Sequence, residues 1–338
     1  MIRYLIKVYI RGKRLAKSFI PACGLTNQHI QTLFNPLFKR SYNLKIESEI
    51  FELADGDFVE CYWNDKPKDG DNRPIVVLFH GLTGSFESAY IQGTMQKLSE
   101  GGFASVLMHF RGCSGKMNRL PRSYHYGDTA DAKAWLEHIK QNYPNSPLFA
   151  IGYSLGGSVL LKLLGEEKND SPLRAAVAVS VPFLIDVAAD KLNSGFSKLY
   201  QYVLVKQLKE YVQKKYKEHD MQSLIGLDEE EFDKISTFWE FDDAYTAPIH
   251  GFSSAKDYYD KSSAKQFLKD ITTNTLVIHA LDDPFMTPAV VPKDYELSSS
   301  VTLEKYSHGG HVGFVSGSFI KPKYWLEDRV VDYFKEFL

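Results

Sequence analysis

The stretch "LFAIGYSLGGSVLLKLLG" (residues 148–165) constrains the fold of this chain more than any other part of it. An apolar run reaches Gly152, a serine follows at Ser154, and a second apolar run begins after Gly157. The first run is typical of a buried strand and the second of a helix. The pattern G-x-S-x-G at such a junction predicts a sharp turn that holds Ser154 above the strand end as a nucleophile. The alternative is a tight turn with an incidental hydroxyl group.

Apolar runs of the same kind recur on both sides of this turn. They read "PIVVLFHG" (74–81), "ASVLMHF" (104–110), "AAVAVS" (175–180), "TLVIHA" (275–280) and "VTLEKY" (301–306). Residues 46–63 look like two strands joined by a hairpin at Asp55-Gly56. Helical patterns run from about Asp128 to Tyr143 and from about Tyr324 to Leu338. The alternation predicts an α/β fold with a mostly parallel, doubly wound sheet of about eight strands and an antiparallel N-terminal edge.

One long interval, residues 183–273, interrupts this rhythm and contains no clear buried strand. Its apolar residues recur near helical spacing, which predicts a helical cap insertion. Insertions of this length usually cover a functional site, and the alternative is a peripheral helical subdomain. We therefore divide the chain into a basic N-terminal segment (1–20), a core (21–182 and 274–338) and the cap (183–273).

Composition excludes several classes of protein. The net charge is −2, so a general attraction to nucleic acid is not expected. The three cysteines (Cys23, Cys61 and Cys113) are far apart and form no C-x-x-C pair, which favours a reducing, cytoplasmic location without disulfides. Nothing indicates a metal or another cofactor, and nothing specifies an oligomeric state. The basic first twenty residues fit either a charged terminal helix or a segment in weak contact with a membrane surface.

A serine nucleophile needs a base and a group that orients the base, and in this type of fold they follow in the order acid, then histidine. The stretches "TLVIHALDDPF" and "YSHGGHVGF" place such residues directly after two predicted strands. We predict Asp283 as the acid in preference to Asp282, because it precedes Pro284 and begins the turn away from the strand. We predict His311 as the base in preference to His308, because two glycines before it permit close approach.

Two backbone N–H groups are expected to form an oxyanion hole for acyl transfer. Leu155 follows the nucleophile, and Leu82 lies in the loop "FHGLTGS" (79–85) after an early strand. The alternative for that loop is a plain strand-to-helix turn. We expect His80 to shape the loop, Arg111 to give structural support, and Cys113 to be a buried or loop thiol.

Eight stretches of the chain are similar to a known family. They read "GLTNQHIQTL" (24–33), "LADGDFVE", "FHGLTGS", "MHFRGCSG", "GYSLGGS", "APIHGFSSAKDYY" (247–259), "HALDDPFM" and "HGGHVGF". The chain resembles the α/β-hydrolase superfamily, and within it the YheT-like branch of bacterial hydrolases, eukaryotic esterases and lipases, and yeast alcohol acyltransferases. The resemblance implies the α/β-hydrolase fold.

The same resemblance implies a site and an activity. It places the nucleophile on Ser154, the acid on Asp283 and the base on His311. It also implies a serine hydrolase of carboxylic esters with short to medium acyl chains. Two alternatives from the same triad are acyl transfer to an alcohol and lipid ester hydrolysis. A third is a non-catalytic binding protein on a hydrolase fold.

Overall fold

An eight-stranded mixed sheet forms the centre of the protein. The computed structural model describes residues 18–38 and 40–338, so most of the predicted N-terminal segment 1–20 lies outside the described residues. The strands of the sheet are β1 (Ile46–Glu52), β2 (Phe58–Asn64), β3 (Ile75–Phe79), β4 (Ala104–Met108), β5 (Leu148–Tyr153), β6 (Ala175–Val179), β7 (Asn274–Ala280) and β8 (Val301–Tyr306). Their order across the sheet is β1-β2-β4-β3-β5-β6-β7-β8.

The directions of the strands agree with the predicted architecture. β1 pairs antiparallel with β2, and β2 pairs antiparallel with β4. From β4 through β3 to β8 every pairing is parallel. The predicted sheet of about eight strands with an antiparallel N-terminal edge is therefore confirmed.

Helices cover both faces of the sheet and create two apolar cores. Helices α3 (Ala130–Asn142) and α4 (Leu155–Glu167) contribute to the core on one face, together with Val77 of β3. Helices α2 (Ala89–Glu100) and α12 (Trp325–Lys335) contribute to the core on the other face, together with Val76 and Leu78. Because both faces are covered, the central parallel strands β3, β5 and β6 are almost entirely apolar and do not alternate with polar residues.

The insertion between β6 and β7 is helical. It contains α5 (Ile185–Leu192), α6 (Ser197–Tyr216), α7 (Met221–Ile225), α8 (Glu229–Asp233), α9 (Phe238–Phe241), a π-helical turn (Asp242–Thr246), α10 (Ala247–His250) and α11 (Ala255–Ser262). We keep residues 183–273 as the proposed bounds of this cap.

The stretch "APIHGFSSAKDYY" fastens the cap to a loop of the core (residues 121–128). The hydroxyl of Tyr258 accepts a hydrogen bond from the backbone N–H of Tyr126 at 3.0 Å. Just before the stretch, the hydroxyl of Tyr245 donates to the carbonyl of Pro121 at 2.8 Å. This part of the cap therefore holds the loop that follows β4 in place.

Two elements that were not predicted from the sequence pack against each other. One is helix α1 (Gln28–Leu37), and the other is a small hairpin of β9 (Val315–Gly317) and β10 (Pro322–Tyr324). The side chain of Asn27 caps α1 by accepting from the N–H groups of His29 and Ile30, a signal that sequence analysis could have used. Gln31 then ties α1 to the hairpin through two hydrogen bonds with the backbone of Val315, at 2.7 and 3.0 Å.

Candidate active site

The turn between β5 and α4 holds Ser154 in a strained conformation. Its φ and ψ are 51° and −116°, a region that residues with side chains rarely adopt. A Cβ atom on Gly152 would lie 2.3 Å from the carbonyl oxygen of Gly156, and one on Gly156 would lie 2.4 Å from that of Phe79. Both glycines are therefore steric requirements of a turn that lifts Ser154 off the end of the strand.

Ser154, His311 and Asp283 form a continuous hydrogen-bonded chain. The Nε2 atom of His311 lies 2.9 Å from the Oγ of Ser154. The Nδ1 atom of the same ring lies 2.8 Å from the Oδ2 of Asp283. The ring of Phe285 stacks on the imidazole with the centroids 4.0 Å apart, which restricts its orientation. The structure thus brings together the three residues that the sequence singled out as nucleophile, base and acid.

The neighbouring pair, Asp282 and His308, lies beside this chain and serves the loop. The Oδ1 of Asp282 accepts a hydrogen bond from the backbone N–H of Gly310 at 3.0 Å, and its Oδ2 lies 3.3 Å from the Nδ1 of His308. Asp282 therefore ties the loop after β7 to the loop after β8. It does not contact the imidazole of His311, whose Nδ1 is hydrogen-bonded to Asp283.

Helix α1 pins the loop that carries His311. The hydroxyl of Thr32 accepts a hydrogen bond from the backbone N–H of His311 at 2.9 Å. A Cβ atom on Gly310 would lie 2.6 Å from the carbonyl oxygen of Gln28, so the loop and the helix are in close contact. Thr32 is a positioning residue that sequence reasoning missed, although it lies in the stretch "GLTNQHIQTL".

The loop after β3 runs directly alongside the nucleophile. A Cβ atom on Gly81 would lie 3.3 Å from the Cβ of Ser154. Leu82 follows in this loop, and Leu155 begins α4. No hydrogen bond within the part of the chain that the structure describes uses the backbone N–H of Leu82 or Leu155. Both of these predicted oxyanion donors therefore stay available to a ligand next to Ser154.

Two tyrosines satisfy the N–H groups on either side of Leu82. The hydroxyl of Tyr90 accepts from the N–H of Gly81, and that of Tyr124 accepts from the N–H of Thr83, both at 2.9 Å. Thr83 has a φ of 55°, so its backbone needs such support. These bonds fix the loop while leaving the N–H of Leu82 unpaired.

We predict that Tyr124→Phe lowers kcat by about tenfold with little change in KM, because the N–H of Thr83 loses its acceptor. The measurement is steady-state kinetics on a soluble p-nitrophenyl ester. Tyr216→Phe is the matched control, since that hydroxyl donates to the carbonyl of Leu227 inside the cap. Equal kcat values for Tyr124→Phe and the unchanged protein would show that Tyr124 does not position the loop.

Other reactive side chains near the site have structural roles. Burial lowers the pKa of His80 to about 3, and its Nε2 accepts from the backbone N–H of Phe110 at 3.0 Å. Burial raises the pKa of the Cys113 thiol to about 12. Arg111 forms buried ion pairs with Asp131 and Asp57. Within residues 18–38 and 40–338, no group of three or more His, Cys, Asp or Glu side chains is placed to hold a metal ion.

A narrow cavity lies between the predicted oxyanion donors and the cap. Its volume is about 20 Å³, and Leu82 and Leu155 form part of its lining. Aromatic residues of the core loop and the cap line the rest, among them Tyr126 and Phe241. One acidic side chain, that of Asp242, also lines it. The cavity is therefore mostly apolar and lies next to Leu155, the residue that follows Ser154.

The buried carboxyl of Asp242 in the cap should make the stability of the protein depend on pH. Burial raises the pKa of its carboxyl to about 6, against the hydrogen bonds that it accepts from Tyr259 and Thr246. A carboxyl with a raised pKa in the folded state stabilises the fold most at low pH, and this contribution is lost as the pH rises through 6. We therefore expect the unfolding free energy of the unchanged protein, relative to Asp242→Asn, to increase as the pH falls from 8 to 5. Urea unfolding at several pH values measures this, and a difference independent of pH would contradict it.

Comparison with known proteins identifies the family. A family model described as the alpha/beta hydrolase fold matches residues 74–318. The chain belongs to the alpha/beta hydrolase family. This confirms the resemblance inferred from the eight sequence stretches. With the hydrogen-bonded Ser-His-Asp site, it makes the protein an alpha/beta hydrolase of the esterase and lipase type.

Three relatives illustrate the range of this alpha/beta hydrolase's neighbours. The chain is 41% identical to "Putative esterase YheT" of Escherichia coli (strain K12), over 95% of this chain and 94% of that protein. It is 29% identical to the phospholipase ABHD3 of Bos taurus, over 96% and 79%. It is 27% identical to the monoacylglycerol lipase of Saccharomyces cerevisiae, over 94% and 65%.

Solved structures share the fold at low sequence identity. The esterase Pf2001 of Pyrococcus furiosus superposes with a TM-score of 0.55 at 17% identity, over 88% of this chain and 98% of that one. The structure of Est1E from Butyrivibrio proteoclasticus with ferulic acid bound superposes with a TM-score of 0.52 at 16% identity, over 86% and 99%. These similarities establish the architecture of this hydrolase.

Proposed function

We propose that this protein is a carboxylic ester hydrolase that cleaves short- to medium-chain esters through an acyl-enzyme on Ser154. The observation that carries the proposal is the unbroken chain of contacts from the Oγ of Ser154 through His311 to Asp283, at 2.9 and 2.8 Å. Serine alone is a weak nucleophile, and a base at hydrogen-bond distance that is itself oriented by a carboxylate activates it.

In the first half of the reaction, the Oγ of Ser154 attacks the ester carbonyl carbon while the Nε2 of His311 takes its proton. The carboxylate of Asp283 stabilises the imidazolium that forms and keeps the ring in the required tautomer. The N–H groups of Leu82 and Leu155 stabilise the negative charge on the carbonyl oxygen. When the tetrahedral intermediate collapses, the imidazolium gives its proton to the departing alcohol.

In the second half, water replaces the alcohol. His311 removes a proton from the water, whose oxygen attacks the acyl carbon attached to Ser154. The second tetrahedral intermediate collapses, the free acid leaves, and the proton returns to the Oγ of Ser154. An alcohol in place of water would give acyl transfer by the same steps.

The close packing beside Leu82 and Leu155 supports the proposed acyl length. The cavity there has a volume of only about 20 Å³ and is lined by Tyr126, Phe241 and other apolar side chains, so an acyl chain enters only by moving side chains of the cap, and a short chain moves fewer of them. A long chain would have to displace packed side chains of the cap, and this costs free energy. The names of the relatives, which include an esterase and two lipases, are consistent with an ester substrate.

A series of p-nitrophenyl esters tests the proposal. We expect kcat/KM to be highest for the butyrate or octanoate ester and about tenfold or more lower for the palmitate ester. Addition of ethanol separates hydrolysis from transfer, because hydrolysis yields mainly free acid and transfer yields mainly the ethyl ester. If the folded protein hydrolysed none of these esters, the proposal would be wrong and a non-catalytic binding role would be favoured instead.

A further inference from the structure

An exposed apolar face, which we call the α1–α6 face, extends over helix α1, the first turns of α6 and the β9–β10 hairpin. The side chains of Leu37 and Ile320 are 69% and 89% exposed. Others on this face that are at least two-fifths exposed are Ile30, Phe196, Leu199 and Tyr202. Large apolar side chains are normally exposed singly, and a cluster of them indicates an interaction surface.

Ring contacts show that the face is continuous. At one end of α1, the ring of His29 packs against that of Phe196 in front of α6, with centroids 4.3 Å apart. At the other end, Phe38 packs against Phe319 of the hairpin at 5.4 Å. Ile30 and Leu37 lie two helical turns apart on α1 and therefore point to the same side. The three elements form one surface.

The charge of this face differs from that of the rest of the protein. Residues 18–45, 191–209 and 305–326, which supply the face, include lysines and arginines but no aspartate or glutamate, although the whole chain has a net charge of −2. Lys198, Lys206, Lys321 and Lys323 are exposed, and none of them forms an ion pair with any residue that the structure describes. The apolar side chains are therefore bordered by unpaired positive charge.

The helices of this face also contact two loops of the active site. The hydroxyl of Thr83, next to Leu82, donates to the side chain of Gln207 on α6 at 2.7 Å. The hydroxyl of Thr32 on α1 accepts from the backbone N–H of His311. A surface that covered the α1–α6 face would therefore lie close to the loops that carry Leu82 and His311.

We propose that the α1–α6 face docks on a bilayer surface that contains anionic lipids. Exposed apolar side chains enter the boundary between headgroups and acyl chains, and lysines at the border contact the anionic headgroups. No helix in the described part of the chain is long and apolar enough to cross a bilayer. A second copy of the chain fits the face less well, because a twofold interface would bring the same unpaired lysines together. Docking would present a membrane ester to Ser154, and this last step alone depends on the proposed function.

Vesicle flotation of the full-length Ser154→Ala variant tests docking without consuming lipid. We expect binding to vesicles of phosphatidylcholine with phosphatidylglycerol and much weaker binding to phosphatidylcholine alone. Leu37→Ser with Ile320→Ser should lower the partition coefficient by about tenfold or more, because it removes two inserting side chains. Lys198→Glu with Lys206→Glu should lower it by a similar factor. The control is Ile50→Ser with Leu224→Ser, at two exposed positions outside the face.

Each outcome supports or overturns the proposal. Unchanged binding of both double variants would overturn it, because the vesicles would then be bound elsewhere on the chain. Absence of binding to anionic vesicles would also overturn it, as would dimerisation in solution that Leu37→Ser with Ile320→Ser abolishes. Hydrolysis of p-nitrophenyl butyrate by the same double variants on the native Ser154 background verifies their folding. Vesicle binding without ester turnover would contradict the proposed function but would still support the docking surface.

Discussion

Replacing Ser154 with alanine is expected to lower kcat for p-nitrophenyl butyrate by about a million-fold while the protein stays folded. The hydroxyl that lies 2.9 Å from the Nε2 of His311 is lost in this variant. Alanine takes up the same space at the turn, so the close packing of Gly152 and Gly156 is unaffected. The measurement is steady-state hydrolysis, with thermal unfolding as the check on structure.

Ser158→Ala is the matched control for this experiment. Ser158 is buried one turn further along α4, and its hydroxyl has no hydrogen-bond partner among the described residues. We expect nearly full activity from it. A fluorophosphonate probe should label the unchanged protein and Ser158→Ala but not Ser154→Ala. Turnover that persisted in Ser154→Ala would remove Ser154 as the nucleophile.

The second large effect is expected from Asp283→Asn, which should lower kcat by about ten thousand-fold. An amide at this position can donate to the Nδ1 of His311, and this favours the tautomer that has a proton on Nε2. Such a ring cannot accept the proton of Ser154. The buried carboxylate is also lost, and with it the stabilisation of the imidazolium.

The adjacent Asp282 supplies the matched control for the Asp283→Asn variant. Asp282→Asn still offers an oxygen to the N–H of Gly310, so we expect a loss of no more than about tenfold. Both variants are compared by kcat on the same ester. Equal losses for Asp282→Asn and Asp283→Asn would mean that the two carboxylates share the role, against the geometry around His311.

The strands and the turn at Ser154 could be predicted because the residue patterns that require them are local or repeat along the chain. Strands β3 to β7 are covered on both faces, so they appear as apolar runs that need no knowledge of their partners. Gly152 is required by a backbone contact within a few residues, with Gly156. Both signals are therefore present in a short window of sequence.

Helix α1 and the β9–β10 hairpin were missed because their stabilisation comes from distant parts of the chain. Gln31 joins them through the backbone of Val315, and Thr32 joins α1 to His311. Polar residues of this kind look like those of any surface loop until the partner is known. The same holds for Tyr124, whose hydroxyl supports Thr83 in a different loop.

The sequence by itself determined the class of fold and predicted Ser154, Asp283 and His311 as nucleophile, acid and base. These depend on residue types at fixed spacing, since a parallel sheet brings the ends of its strands to one edge whatever their order. Only the tertiary structure shows that Asp282 instead contacts Gly310 and His308, that tyrosines leave the N–H of Leu82 unpaired, and that exposed apolar side chains of α1, α6 and the hairpin share one surface. Each of these is a distance or an orientation between residues far apart in the chain, which only packing sets.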